Sequence, residues 1–331
     1  LIKSRKLHTS AYLGSHLIRL FAVCGSLTEA QDVFFQLPRP NVFAWSEIIL
    51  AHAKLGKGNQ AIKMYLRMQK SGLHSDGHTY VAVLQACASI QDLDHGKVVH
   101  RHISESGFAL TVFVASSLVD MYVQCGKLTD AYDVFERTTD RNVVLWNAMI
   151  AGYAQHGYMH DANRLFQCMH RDGIHPNKET WNAIISGWAI NGQGDKACEC
   201  YEQMQLEGFS PDIVTFICVL KACGSTGAAE KGIEIHADIE RNKLLETEHH
   251  ILGAALMDMY IKCGLLGKAQ CVFDQVSSWN NIVLWNILIA GYAENGQAEE
   301  ALKCLEKMQL EDVQPDLVAL VCSLKACATL G

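Results

Sequence analysis

Apolar residues in this chain recur at helical spacing and are halted at regular intervals by glycine. The stretch VVLWNAMIAGYAQHG at 143–157 puts apolar side chains at 145, 146, 149, 150 and 153, the stripe of one helix face, and ends on Gly157, where a left-handed exit residue is wanted. The stretch HDANRLFQCMHRDG at 160–173 repeats the stripe with Ala162, Leu165, Phe166 and Met169 and stops at Gly173. Two short helices are predicted. Neither is long enough to be comfortably stable alone in water, so each must bury its stripe against a neighbour.

The pattern is periodic over the whole chain. WNAMIAGYAQHG at 146–157 returns as WNILIAGYAENG at 285–296, and Trp45 and Trp181 mark further copies. Repeated phrases imply repeated surroundings, and cutting at these marks gives units 11–41, 42–76, 77–111, 112–142, 143–177, 178–212, 213–249, 250–281 and 282–316, with fragments of units at 1–10 and 317–331. Gly25, Gly56, Gly126, Gly192, Gly264 and Gly296 fall at first-helix exits, and Gly72, Gly107 and Gly208 join Gly173 at second-helix exits. The expected fold is all-α: one α-solenoid superhelix of stacked helix-turn-helix hairpins over 1–331. The chain opens on Leu1 and both ends fall inside a repeat, so a longer protein is expected.

Tetratricopeptide arrays use a hairpin of about 34 residues. Here the unit lengths alternate around 35, 35 and 31, and units close with SD, PN, PD or RN before a VxxWN helix. With VLQAC and VLKAC, and with SLVDMYVQCGKLTDAYDVF, this alternation resembles pentatricopeptide repeat proteins of the PLS class. On that resemblance 42–76, 143–177, 178–212 and 282–316 are P-type units, 77–111 and 213–249 are L-type, and 11–41, 112–142 and 250–281 are S-type. Tandem P-type units at 143 and 178, and extra residues in 213–249 and 250–281, depart from the strict triplet order.

The resemblance implies binding of single-stranded RNA, one base per repeat. It assigns base reading to the fifth and last residues of a unit: Ser15 with Asn41, Ser46 with Asp76, Ser116 with Asn142, Asn147 with Asn177, Asn182 with Asp212, and Asn286 with Asp316. An ionised Asp only accepts hydrogen bonds and suits the ring N–H of guanine or uracil, whereas Asn can also donate, as adenine and cytosine require. A short Ser leaves room for a purine, and a longer Asn reaches toward a pyrimidine. Read 5′ to 3′, the units give A, G, unread, A, C or U, U or C, unread, unread, U. The unread pairs are Val81/Thr111, Ile217/His249 and Ala254/Asn281. The resemblance also assigns base sandwiching to second positions: Tyr12, Phe43, Phe113, Val144, Val214, Ile251 and Val283, with His78 and Glu179 on the same register and the Glu179 carboxylate a misfit. An Asn one residue after a tryptophan near a helix start also suits an N-terminal cap.

Charge narrows the binding mode. The net charge is -7, so no global positive field draws in nucleic acid, and near the first-helix exits only Lys54 and Lys262 are basic. Few phosphate contacts and a shallow salt dependence are expected.

Thirteen cysteines recur with the repeat, without C-x-x-C spacing, and read as small buried thiols; the fifteen histidines read as scattered surface residues, and TEHHI at 247–251 as a loop insertion. No metal or cofactor is expected. The H-x-E and P-C-x-x-C signature of zinc deaminases is missing, so no catalysis is expected from this chain itself, and no apolar run reaches membrane-span length. By resemblance the protein is an organellar specificity factor, in a mitochondrion or chloroplast, for C-to-U editing or other RNA processing. The chemistry would come from a separate deaminase domain or from accessory proteins of an editing complex. The competing readings are a protein-binding helical scaffold and a structural subunit of an organellar ribonucleoprotein.

Overall fold

The computed structural model describes residues 11–108, 110–244, 249–276 and 281–330, so the fragment expected at 1–10 lies outside the described residues. Among the described residues there are 19 helices and no strand. They divide into two compact units, Leu1–His175 and Pro176–Gly331. The all-α, α-solenoid class expected from the repeats holds in each.

In the first unit the opening helices of successive hairpins are Ala11–Val23, Val42–Lys54, Gly77–Ser89, Val112–Gln124 and Val143–Gln155, and each packs on the next. Each packs on its own second helix, Leu27–Gln36, Gly58–Lys70, Leu93–Glu105, Leu128–Arg137 and Met159–Arg171 respectively. The second unit repeats the plan. Its opening helices are Lys178–Ile190, Ile213–Thr226, His249–Lys262, Ile282–Glu294 and Leu317–Leu330, backed by Gly194–Leu206, Ala229–Arg241, Leu266–Gln275 and Ala298–Leu310. The short units are short because their second helix has 10 residues instead of 13. Close to one helical turn is removed there.

Hairpin exits obey the glycine pattern. Gly157, for example, sits at φ +84°, where a side chain would strain the backbone; Gln91, Lys243 and Asp312 take the same region without glycine. One helix start differs from expectation. Residues 249–251 open the helix His249–Lys262, so the loop expected at 247–251 is displaced, with 247 and 248 outside the described residues.

The recurring phrases correspond to recurring contacts. The phenylalanine of DVF or CVF meets the tryptophan of the following opening helix edge-on: Phe34 with Trp45 at 4.7 Å between ring centroids, Phe135 with Trp146 at 4.7 Å, and Phe273 with Trp285 at 4.6 Å. In AGY the glycine admits a branched side chain from the preceding hairpin. A Cβ at Gly152 would lie 2.6 Å from Val123 Cγ2, and one at Gly291 would lie 2.5 Å from Ile261 Cδ1.

The contacts of 77–111 with 112–142 and of 213–249 with 250–281 are equally repetitive. Gly96 and Gly232 leave space for Met121 and Met259. One turn on, His100 Nδ1 lies 2.9 Å from the Tyr122 hydroxyl and His236 Nδ1 lies 2.8 Å from the Tyr260 hydroxyl. The expectation of scattered surface histidines is therefore wrong for these two and for His52, which is 1% exposed and 3.1 Å from Gln31 Nε2 through its Nε2. These rings are packed against neighbouring hairpins. The thiol expectation also needs correction: Cys87, Cys223 and Cys304 are buried, but Cys24, Cys271 and Cys327 are exposed.

Candidate nucleic-acid interface

In each unit the opening helices expose side chains at one register position. Second positions hold Tyr12, 69% exposed, and Phe113, 79% exposed, together with exposed Val144, Val214, Ile251 and Val283; Phe43 is half-buried, while His78 and Glu179 are exposed. Large apolar groups left in water at one register position mark a contact surface rather than a core. Position five lies one turn further along the same face.

In six units the last residue has a structural task. Its side-chain oxygen caps the next opening helix: Asn41 Oδ1 accepts from the Ala44 N–H at 2.9 Å, Asp76 from Thr79 at 2.8 Å, Asn142 from Leu145 at 3.1 Å, Asn177 from Thr180 at 3.0 Å, Asp212 from Thr215 at 3.0 Å, and Asp316 from Ala319 at 3.0 Å. The cap belongs to these residues and not to Asn147 or Asn182, which follow a tryptophan inside their helices. Capping by Oδ1 fixes the rotamer. The second atom, Nδ2 of Asn or Oδ2 of Asp, is left for another partner.

Four of the six pairs meet directly. Asn182 Nδ2 donates to Asp212 Oδ1 and Oδ2 at 3.2 and 3.3 Å, and Asn286 Nδ2 donates to Asp316 Oδ2 at 2.9 Å. Ser15 Oγ donates to Asn41 Oδ1 at 3.4 Å, and Ser46 Oγ lies 3.3 Å from Asp76 Oδ1. Ser116 instead donates to the Val112 carbonyl at 2.8 Å while Asn142 caps its own helix. Asn147 and Asn177 fall in different compact units; both are half-buried.

Asn182 and Asp212 are also half-buried, so they share a face without being sealed from solvent. Ser15 and Ser46 are different. Both are buried, and Ser46 Oγ is engaged with the Val42 carbonyl at 2.9 Å and Thr79 Oγ1 at 2.7 Å, so a serine forms the floor of its slot.

The charge state of the capping aspartates follows from the same bonds. Burial would push the Asp212 carboxyl up, but hydrogen bonds from the Thr215 N–H and hydroxyl and from Asn182 outweigh it and hold it below the ordinary value. The Ala319 N–H and then Asn286 lower Asp316 likewise. Both are ionised acceptors at neutral pH.

Two recesses open on this face of the first unit. One, of about 580 Å³, is lined by His78, Phe113 and Val144 with Ser116 and Asn142 at its side. The other, of about 600 Å³, is bounded by Arg19, Phe43, Glu47, Lys54 and His78. Burial raises the Glu47 carboxyl, opposed by Arg19, His78, Lys54 and His16. Lys262 is held by Asp258 at 2.7 Å, which weakens it as a phosphate contact.

Family models match much of the chain. The PPR repeat family matches residues 40–89, 141–187, 176–225 and 280–329, and a PPR repeat matches 113–143. The chain belongs to the pentatricopeptide repeat family.

A pentatricopeptide repeat-containing protein of Arabidopsis thaliana is 43% identical over 98% of this chain and 39% of its own length. A chloroplastic one from the same plant is 30% identical over 100% of this chain and 47% of its own length. A mitochondrial one is 30% identical over 94% of this chain and 27% of its own. The chain thus spans less than half of each of these relatives. Among solved structures, the pentatricopeptide repeat protein PPR10 from maize overlays with a TM-score of 0.58 at 19% identity, covering 95% of this chain and 51% of that one.

Within this pentatricopeptide repeat chain, three groups of interface residues escaped sequence reasoning. Buried threonines at third positions tie a fifth residue to its cap: Thr215 Oγ1 donates to Asn182 Oδ1 at 2.6 Å and lies 3.0 Å from Asp212 Oδ1, while Thr79 Oγ1 lies 2.7 Å from both Ser46 Oγ and Asp76 Oδ1. Their signal is the capping-box spacing in DGHT, NKET and DIVT. Arg19 is one turn beyond Ser15 on the same face, and its signal is that i, i+4 spacing. Val318, exposed at the second position of the last helix, lies in the fragment 317–331.

Proposed function

We propose that this chain binds single-stranded RNA by sequence, one base per hairpin, and that it contributes recognition without chemistry of its own. The observation that carries this reading is the coincidence of two polar groups at hydrogen-bond distance, Asn182 with Asp212 and Asn286 with Asp316, beside a line of exposed apolar side chains at second positions. Polar pairs supply selectivity and apolar neighbours supply stacking.

In the free protein Asn182 satisfies the Asp212 carboxylate. A uracil entering the slot offers its ring N–H to that carboxylate, while the Asn182 amide turns to the base carbonyl. An Asn in the capping position presents a donor, which adenine and cytosine can accept. Each well-formed base contact is worth about 1 to 3 kcal/mol, and each aromatic stack about the same. With Lys262 paired and Arg19 and Lys54 confined to one recess, phosphate attraction is a minor contribution.

The PLS-type order of units and the chloroplastic and mitochondrial names of relatives support an organellar setting, with C-to-U editing or RNA processing performed by a separate deaminase domain or by accessory proteins. Selection of RNA ligands from a randomised pool tests the core of the reading. The expected consensus is A, G, any, A, C or U, U or C, any, any, U, written 5′ to 3′. Enrichment of no sequence would return the chain to the class of protein-binding scaffolds.

A further inference from the structure

Cys198 and Cys223 stand apart from the RNA face and have no part in the proposed recognition. Cys198 is on the helix Gly194–Leu206, the second of its hairpin, and Cys223 is on Ile213–Thr226, the first of the next. The two helices pack together, and the sulfur atoms are 3.8 Å apart, in contact but unbonded. The remaining gap is closed by a movement of about 2 Å, within the reach of side-chain rotation. The repeat register supplies a control. The position of Cys198 in its unit is occupied by Ile62 in 42–76 and by Leu302 in 282–316, each followed in the next hairpin by the recurring cysteine, Cys87 or Cys327. A thiol stands here where those two copies keep a hydrocarbon and 143–177 has Asn163.

We propose that Cys198 and Cys223 form a peroxide-sensitive thiol pair whose disulfide fastens one hairpin to the next. Cys198 is partly accessible and Cys223 is buried, which assigns attack on the oxidant to Cys198 and resolution to Cys223. A hydrogen bond from the Cys223 thiol, aided by the Lys231 ammonium and opposed by burial, pulls Cys198 below an ordinary thiol; the same hydrogen bond and burial push Cys223 up. Lys231 is itself held by Glu202 at 2.5 Å and Glu234 at 3.0 Å.

The Cys198 thiolate attacks a hydroperoxide oxygen, the O–O bond breaks, and a sulfenic acid forms as the other oxygen leaves with a proton as water or alcohol. The Cys223 sulfur then displaces hydroxide from that sulfenic acid, its proton leaving with the hydroxide as water. Two thiols are oxidised by two electrons in total, and one peroxide is reduced. The linkage closes the segment from 198 to 223 across a hairpin boundary.

The test is peroxide treatment of the intact chain, alkylation of remaining thiols, and peptide mass spectrometry. The expected product is a Cys198–Cys223 cross-linked peptide pair lighter by two hydrogens and restored by reductant. Cys223→Ser should leave Cys198 as a sulfenic acid trapped by dimedone, and Cys198→Ile, which installs the residue found at the corresponding position of 42–76, should fold and give no cross-link. Equal alkylation of Cys198 before and after peroxide overturns the proposal. So does a cross-link from Cys223 to Cys263, whose sulfur lies 3.8 Å from the Cys223 carbonyl. Neither result bears on RNA binding, which is measured separately.

Discussion

Adding one methyl group at Gly152 tests whether the repeated AGY phrase exists for packing. An alanine Cβ there would lie 2.6 Å from Val123 Cγ2 and 3.0 Å from Val123 Cγ1. Val123 is 3% exposed and β-branched, so it cannot swing clear without disturbing its own helix. Overpacking of this kind costs about 1 to 3 kcal/mol, while alanine gains about 1 kcal/mol over glycine in helix propensity. Taking about 2 against about 1, Gly152→Ala should destabilise by about 1 kcal/mol. Gly267 provides the opposite case. It lies within the helix Leu266–Gln275, and a Cβ there meets nothing within 4 Å, so Gly267→Ala should stabilise by up to about 1 kcal/mol. Urea unfolding of the two variants and the parent, compared by midpoint at constant slope, decides between them. A rise in midpoint for Gly152→Ala equal to that of Gly267→Ala would refute the packing argument.

Phe113→Ala should leave stability almost unchanged, because the ring is largely in water, and should weaken RNA binding by about 1 to 3 kcal/mol in a fluorescence anisotropy titration. Thr215→Val removes the hydroxyl that orders Asn182 and Asp212; it should cost about 1 kcal/mol in unfolding and narrow the uracil-to-cytosine preference at that hairpin. Burial holds His100 and His236 below the usual imidazole value of 6.5, so the unfolded chain takes up protons first as pH falls. Their contribution is complete above about pH 6.5 and is lost progressively below it, which thermal melts between pH 7.5 and 5 should record as a falling midpoint.

Hairpin boundaries were legible because their signals are local. A glycine at positive φ, a capping Asn or Asp and an apolar stripe each act within a few residues, and the expected starts at 42, 77, 112, 143, 178, 213 and 282 all open helices. The exposed second positions were legible too, since Tyr12 and Phe113 occupy a register from which the core stripe is absent. What escaped depends on neighbours distant in sequence. Thr215 acts on Asn182 from 33 residues away, and the burial of Ser46 is set by Thr79 from the next hairpin. His100 and His236 looked like surface residues because their tyrosine partners belong to the following unit. The double duty of Asp212, cap and candidate reader at once, emerges only when both of its oxygens are placed.

That double duty allows the most direct measurement. Asp212→Asn keeps an Oδ1 to cap Thr215 and exchanges the other acceptor for a donor, so folding should be nearly unchanged. Binding to two RNA oligonucleotides that differ only in uracil or cytosine at the base facing 178–212 should then reverse in order, by about 10- to 100-fold, with preferences at every other position intact. An unchanged order, or an equal loss of affinity for both oligonucleotides, would contradict base reading by these hairpins.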